Sequence, residues 1–438
     1  ECIDTLHEAY RQAVTPPTGP TMVVIDIELQ KEEAQDFNLP QFRPASIEGL
    51  DTATAKTIAE KLLNASNPRL ETGMFRTPEG IEAAVQLAEL IGASTSTTST
   101  AGPMGFPQRH PLCGPGAESN YDYVLGLEAN SPDLSLRRPI VNSITIQRDV
   151  MGIGFGSLRE DYVPTPPGSE PTPLAQNQRQ PQGTVLDIDA QTSIPVIIAE
   201  LSRLVTPAKQ REIAQRKTRH TRANQENFLA TLRAAVEEKK KGWDLSPVST
   251  ARIYAELWPL IMNEDWCLAS PSNFSGAHHR ELWEHNKPYS FLGTQGAAGM
   301  GYGPGASAGA ALAARSRGRF VVNVQPDGDL NYAPGALWTA VHHELPMLTV
   351  MHNNRAWHQE YMFIQYLAGV RGRGTDRGHI GCVLRDPFID YSKMAQAYGM
   401  DSEGPIEDPA LLAAALGRGV ESVKTGKPYL IDVVTQPR

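Results

Sequence analysis

The stretch PDGDLNYAPGALWTAVHHELPMLTVMHNN, residues 326–354, decides how the rest of the chain is read. The apolar run FVVNVQ (320–325) leads into it, with the length and β-branched content of a buried parallel strand. That strand ends on Asp327-Gly328-Asp329. A helix is expected from about Pro334, a residue suited to a first helical turn, with Leu337, Ala340 and Val341 recurring at helical spacing. A second apolar strand, PMLTVMH (346–352), runs into Asn353-Asn354. Such a strand–helix–strand unit crosses over right-handedly. Asp327 and Asn354 therefore arrive at one carboxyl edge of a parallel sheet, where open α/β sheets bind ligands.

An acid, an amide and a glycine turn suit a hard divalent cation that carries a diphosphate. Magnesium takes oxygen ligands in an octahedron and commonly uses one or two carboxylates plus phosphate oxygens. Asp327 offers a carboxylate oxygen, Asn354 an amide oxygen and Ala356 a backbone carbonyl. Gly328 lets backbone amides approach a phosphate closely. The same residues also read as an Asp-Gly turn and an Asn-Asn loop of any α/β protein, and residue type alone does not separate the two.

The two ends of the stretch resemble the thiamine-diphosphate motif, in which Gly-Asp-Gly is followed, after a helix and a strand, by Asn-Asn. Asp327 and Asn354 stand 27 residues apart, within that family's spacing, while Pro326 replaces the family's first glycine. The resemblance implies Mg2+ held by Asp327, Asn354 and the Ala356 carbonyl, with Gly328 and Asp329 beside the diphosphate. A second segment, GMGYG (299–303), resembles the family's Met-Gly-Tyr-Gly. There Met300 would support the bent cofactor, with the Ala298 carbonyl and Met300 N–H bonding its aminopyrimidine. Read without the family, that glycine-rich turn is a helix N-terminus open to any anion. By the same resemblance, PSNFSGAHH (271–279) brings Ser272 and Asn273 to the diphosphate. Its His278 and His279 are adjacent and cannot face one way on a helix or strand. After Asn354, the segment RAWHQEYMFIQYLAGVRGRG resembles a loop over the cofactor, which makes His358, Gln359 and Glu360 candidates for substrate contact or proton transfer, His358 foremost as the catalytic group.

Working outward, 438 residues suffice for two or three domains, and 40% hydrophobic with 20% charged residues is ordinary for a globular protein. A net charge of -9 argues against a nucleic-acid or anionic-membrane surface. Four cysteines (Cys2, Cys113, Cys267 and Cys382) lack paired or metal-like spacing, which favours a reducing, cytoplasmic setting. No apolar run reaches membrane-spanning length.

The chain opens with a helical pattern, CIDTLHEAYRQAV, and an expected strand, TMVVIDIEL (21–29). By resemblance these are the last helix and strand of a pyrimidine-binding domain, so residues 1–36 read as its remnant. Residues 37–205 read as a middle domain. DTATAKTIAEKLLNAS carries Ile58, Ala59, Leu62 and Leu63 on one face behind a cap at Asp51 or Thr52. TPEGIEAAVQLAELIGA carries Ile81, Val85, Ala88 and Ile91 and ends at Gly92. Strands are expected at YDYVLGLE (121–128) and TVLDIDA (184–190). Around His110-Pro111-Leu112 the segment resembles the family's middle domain, which in some relatives holds FAD or ADP; no GxGxxG occurs, so a structural role is favoured. Residues 164–183 read as an exposed loop, and the charged stretch within 206–248 as a solvated linking helix. Residues 249–438 read as the diphosphate- and metal-binding domain, from a helix at ARIYAELWPLI and a strand at DWCLAS to the helix DPFIDYSKMAQAYGM and the strand PYLIDVV (428–434).

The expected fold is α/β, with doubly wound parallel sheets of the thiamine-diphosphate-binding kind and a Rossmann-like middle domain. The resemblance implies a thiamine-diphosphate enzyme of the acetolactate synthase-like group, decarboxylating a 2-oxo acid and passing the fragment to an acceptor. A 2-oxo acid decarboxylase, a carbon–carbon lyase of the benzaldehyde lyase or 2-hydroxyacyl-CoA lyase kind with an acyloin-type substrate, and an inactive cofactor-binding subunit are the alternatives. The family's activating glutamate has no counterpart among Glu8, Glu28, Glu32 and Glu33, so a longer chain or a separate subunit is expected to carry it. A homodimer or homotetramer is implied by the family.

Overall fold

The computed structural model describes residues 2–14, 21–31, 33, 49–73, 75, 77–97, 105–118, 120–129, 143–146, 184–186, 188–270, 278–293 and 299–436. They fall into two compact units, one built from the chain up to residue 224 without 105–110, the other from 105–110 and 225–436.

The first unit holds a five-stranded sheet in the order β2-β1-β3-β4-β5. Its strands are β1 (Pro68–Thr72), β2 (Ser94–Thr97), β3 (Tyr123–Leu127), β4 (Ser143–Ile146) and β5 (Thr184–Leu186). Every pairing is parallel. Preceding it are α1 (Cys2–Val14) and the short α2 (Ile27–Lys31). The sheet's helices are α3 (Thr52–Asn64), α4 (Pro78–Ile91) and α5 (Ala190–Leu204), and α3 and α4 both pack on α5. Asp51 caps α3 by accepting from the Thr54 N–H, and Gly92 closes α4 in the left-handed region at φ 62°. Ile58, Ala59, Leu62 and Leu63 are buried as their spacing predicts. On α4, Ala84 and Leu87 are buried while Val85 is half-buried.

Strands β1 (PRLET) and β2 (STST) carry little apolar signal in the sequence, whereas β4 (SITI) alternates isoleucine with polar residues. On β1, Arg69 and Glu71 are both buried, and they satisfy each other at 2.7 Å. A Ser94 hydroxyl takes a further Arg69 N–H at 3.1 Å. Polar side chains are admitted inside because each has its partner there. The expected strand at 21–29 does not form: residues 21–26 have no regular structure and 27–31 are α2. No described strand lies beside them, and a strand without a neighbour leaves its backbone groups unpaired.

The charged stretch after residue 206 is one helix, α6 (Pro207–Lys239), but it is not wholly solvated. Ile213, Arg216, His220 and Asn224 are buried at helical spacing. Arg216 donates to the Ala65 carbonyl at 2.9 Å and the Ile91 carbonyl at 3.2 Å, so one guanidinium satisfies the ends of α3 and α4. Asn224 and His220 accept from the Gly116 and Ala117 amides. This inner stripe is polar, which hides it from hydrophobic periodicity.

The second unit is built on a parallel sheet in the order β6-β7-β8-β10-β9. In chain order it comprises α7 (Thr250–Ile261), β6 (Trp266–Ser270), α8 (His278–Leu282), α9 (Tyr302–Ala314), β7 (Phe320–Pro326), α10 (Asp327–Leu330), α11 (Gly335–His342), β8 (Met347–Asn353), α12 (His358–Val370), α13 (Tyr391–Ala397), β9 (Asp401–Ile406), α14 (Leu412–Lys424) and β10 (Tyr429–Val434). Strand alternation splits the core into two layers. Val322, Val324, Leu348, Val350, Ile431 and Val433 pack with α7 and α14. Val321, Met347, Met351 and Leu430 pack with α9, α11 and α13. Helices on both faces make the sheet doubly wound, which puts β7 and β8 in the middle and their carboxyl ends at one edge.

Under α7 lies a box of Tyr254, Trp258, Trp266, Trp283 and Phe291 that encloses two buried histidines. His279 faces inward, whereas His278 is half-buried. His279 Nδ1 and His285 Nε2 stand 3.2 Å apart, and His285 Nδ1 lies 3.3 Å from the Ser290 hydroxyl. Burial, with Arg280 and Arg109 adding repulsion, pushes His285 down to about 4 and lowers His279 as well. The unfolded chain therefore binds the extra proton first as pH falls below about 6.5, and stability drops toward the folded value. Denaturant unfolding is expected to lose about 2 kcal/mol from His285 between pH 7 and pH 5, with a further loss from His279. In His285→Gln the share of that loss due to His285 should disappear, while the share due to His279 remains.

Candidate active site

The carboxyl ends of β7 and β8 carry the residues singled out in the sequence. Asp327 follows β7 directly and is 1% exposed. Its Oδ1 accepts the Gly328 N–H at 2.8 Å and its Oδ2 the Ala356 N–H at 3.2 Å. Asn354 Oδ1 accepts the same Ala356 N–H at 3.1 Å. One amide thus gathers the carboxylate and amide oxygens from the two strand ends. Between them Arg355 stands in the left-handed region at φ 59°, a strain of about 1 kcal/mol for a side-chain-bearing residue. Its guanidinium is drawn away to Glu407 and over the Phe388 ring at 4.0 Å. The turn is pinned from outside by Trp357 N–H to Cys382 O at 2.8 Å and Leu384 N–H to Arg355 O at 2.7 Å.

Behind this turn the two asparagines divide their work. Asn353 is buried and donates to Asp432 Oδ1 at 2.9 Å, while Asp432 Oδ2 accepts the Tyr391 N–H at 3.1 Å. The Tyr391 hydroxyl in turn donates to the Asp327 carbonyl at 3.2 Å and accepts from Asn331 at 3.1 Å. Asp432 sits in the middle of the apolar strand β10 and is fully buried; nothing in its sequence context marks it.

The remaining residues are placed less uniformly. Asp329 does not stand free: it accepts from the Gly301 N–H at 2.6 Å, the Gly303 N–H at 3.3 Å and Gln325 Nε2 at 2.7 Å. The N-terminus of α9, read in the sequence as open to any anion, is therefore met by a carboxylate of the chain itself. Met300 lies just before α9 and is 44% exposed. Ser272, Asn273 and Ala298 lie outside the described residues. His358, with Gln359 and Glu360, opens α12, so the segment after Trp357 is a helix rather than a loop. It runs without a glycine until Gly369, which lets the helix persist.

Burial pushes the Asp327 carboxyl up to about 7, against the amides that lower it, and Asp432 up to about 6. Among the described residues no lysine, arginine or histidine pairs with Asp327, and no group of three His, Cys, Asp or Glu could hold a metal by itself. A buried carboxylate of this kind wants a cation. The donors that converge on it are hard oxygens, one carboxylate and one amide, which fits an ion that takes its other ligands from phosphate or water. A cradle accompanies them: a Cβ on Gly328 would come within 2.5 Å of the Trp357 ring, so only glycine admits the indole there. The Trp357 Nε1 proton is buried and has no acceptor among the described residues. These residues fit magnesium and a diphosphate.

Residues 274–433 match the profile described as thiamine pyrophosphate enzyme, C-terminal TPP binding domain. Among curated proteins, the chain is 29% identical over 195 residues to the acetolactate synthase large subunit IlvG of Mycobacterium tuberculosis, covering 44% of this chain and 32% of that protein. It is 29% identical over 145 residues to the benzoylformate decarboxylase of Pseudomonas aeruginosa, covering 32% of this chain and 24% of that protein. The matched part thus spans a third or less of these relatives' length. Among solved structures, benzoylformate decarboxylase from Polynucleobacter necessarius superposes with a TM-score of 0.65 at 17% identity, over 99% of this chain and 73% of that one. The thiamine diphosphate-dependent 4-hydroxybenzoylformate decarboxylase of Rhodococcus jostii superposes with a TM-score of 0.61 at 17% identity, over 99% and 74%. At these identities the structures establish the α/β thiamine-diphosphate-enzyme fold.

Proposed function

We propose that the chain is a thiamine-diphosphate-dependent enzyme of the acetolactate synthase-like and 2-oxo acid decarboxylase group, the reading its matches support, and that it acts on a 2-oxo acid, decarboxylating it and transferring the remaining fragment to an acceptor. The observation that carries this reading is the convergence of Asp327 and Asn354 on the Ala356 amide at the ends of β7 and β8. Asp327, Asn354 and the Ala356 carbonyl would hold Mg2+, and Gly328 would admit the diphosphate. When bound, thiamine diphosphate supplies the carbanion chemistry; the protein supplies binding, orientation and electrostatics. Asp327 gives its charge to the cation instead of to solvent, and the Asp432–Asn353 pair keeps the turn that carries Asn354 in place. Met300, before α9, would support the thiazolium side, with Ser272, Asn273 and Ala298 completing the cofactor site. His358, the first residue of α12, is the candidate for moving a proton on the substrate. FAD is not part of this proposal.

Release of the fragment without an acceptor is the second reading, favoured by the benzoylformate decarboxylase relative. A homodimer or homotetramer is proposed as well, because α12 leaves Met362, Ile364, Tyr366 and Val370 exposed along a helix with no buried residue.

Calorimetric titration of the chain with thiamine diphosphate, with Mg2+ and then with excess chelator, tests the cofactor reading. Binding that requires the metal is the expected result; metal-independent binding or none at millimolar cofactor defeats it. A panel of 2-oxo acids, scored for aldehyde against acyloin product, then separates the two activities.

A further inference from the structure

Trp357 is one residue past the candidate carbonyl ligand Ala356, in the segment that resembles a loop over the cofactor, and the resemblance assigns it no role. Its main chain is fixed at both ends, the N–H on Cys382 O at 2.8 Å and the carbonyl accepting the Tyr361 N–H at 3.1 Å. The indole is thereby laid against Gly328, with Tyr332 meeting it edge-on at 6.3 Å between centroids. A Cβ on Gly328 would stand 2.6 Å from Trp357 Nε1 itself, so it is the N–H side of the ring that borders the Asp327-Gly328 turn.

Buried indole N–H groups nearly always have an acceptor. Trp283, whose whole side chain is buried, donates to the Tyr254 carbonyl at 2.8 Å. Trp357 Nε1 has none among the described residues, although its nitrogen is shut off from solvent. Among the described residues the Asp327 oxygens accept from the Gly328 and Ala356 amides, and neither receives the indole N–H. A donor left over beside a site for an oxyanion is accounted for by the oxyanion.

Resting on the cofactor reading above, we infer that Trp357 is a binding residue whose indole N–H donates to an oxygen of the metal-held diphosphate. The bond is then charge-assisted and shielded from water, which places it among the stronger hydrogen bonds. The same contact explains why Gly328 admits no side chain: the ring must lie flat enough on the turn for its nitrogen to reach the ligand.

The test uses Trp357→Phe, which keeps an aromatic ring on Gly328 and removes only the donor edge, with circular dichroism and melting curves as folding controls. Inorganic pyrophosphate with Mg2+ is the probe for the diphosphate part, and thiamine diphosphate with Mg2+ for the whole cofactor. The variant is expected to bind both about tenfold to a hundredfold more weakly, the range of one charge-assisted hydrogen bond. In the wild-type chain, adding Mg2+–pyrophosphate should shift tryptophan emission, and the shift should be missing in the variant; this readout needs no catalysis. Affinities within twofold of wild type, or emission that changes equally in both, would overturn the inference and mean that water satisfies the N–H. Weakening confined to thiamine diphosphate would also overturn it, by moving the contact to the thiazolium side. If the wild-type chain itself binds neither probe, the cofactor reading fails, an outcome distinct from either.

Discussion

Asp327→Asn is expected to weaken Mg2+-dependent binding of thiamine diphosphate by more than about a hundredfold, since a metal ligand has lost its charge. The same substitution should leave the metal-free chain at least as stable as wild type above pH 7. The two effects have opposite signs for one reason. Asp327 is 1% exposed, and no described cation pairs with it. Its carboxyl is pushed up to about 7 by that burial. A carboxyl whose folded value lies above its unfolded one stabilises the fold when protonated, and that stability is lost as pH rises from about 4 through about 7. Asn has the shape and charge of the protonated form, so the variant skips the loss. Unfolding in chelator should therefore show wild type and Asp327→Asn together near pH 4 and the variant ahead at pH 8. The lead should be about 1–2 kcal/mol, below the full linkage value because the amide cannot accept from both Gly328 and Ala356. A variant that is less stable than wild type at pH 8 in chelator would show that the carboxylate is held by the fold for its own sake, not for a cation.

The parts of this molecule legible in the sequence are those in which chemistry and periodicity coincide. FVVNVQ and PMLTVMH are apolar because both of their faces are covered, and Asp327 and Asn354 stand out as polar residues where such strands stop. The caps Asp51 and Gly92 were likewise readable, since each helix end needs particular residue types. What escaped the sequence is polar residues that are buried because a distant partner satisfies them. Arg69 and Glu71 make β1 look like a surface segment, and Arg216 makes the inner stripe of α6 look solvated. Trp357 reads as a bulky loop residue until its ring is seen on Gly328. The opposite error arose at TMVVIDIEL, whose β-branched run is strand-like in composition but has no described strand to pair with. Local propensity proposes a strand; only a neighbour makes one.

Asp432 shows how far that principle reaches into the site. Residues 429–434 read as one apolar strand with a stray acid, and the strand forms as expected. The acid holds Asn353 through one oxygen and the Tyr391 amide through the other. Replacing Asp432 by Ala leaves two buried donors without acceptors and a cavity beside them, which should destabilise the fold by about 3–5 kcal/mol. Burial pushes Asp432 up to about 6, so part of the wild-type advantage is present below about pH 4 and is lost as pH rises through that value. The gap between wild type and Asp432→Ala should accordingly be widest near pH 4 and narrow by pH 8, as urea unfolding at the two pH values would measure. Asn353 adjoins Asn354, so loosening its anchor lets the turn wander, and Mg2+-dependent cofactor binding should fall even at temperatures where the variant is fully folded. Asp432→Asn keeps the volume and one acceptor, and should recover most of the stability. If binding stays at the wild-type level in folded Asp432→Ala, then Arg355, Cys382 and Leu384 hold the turn without help from β10, and the buried acid serves the core alone.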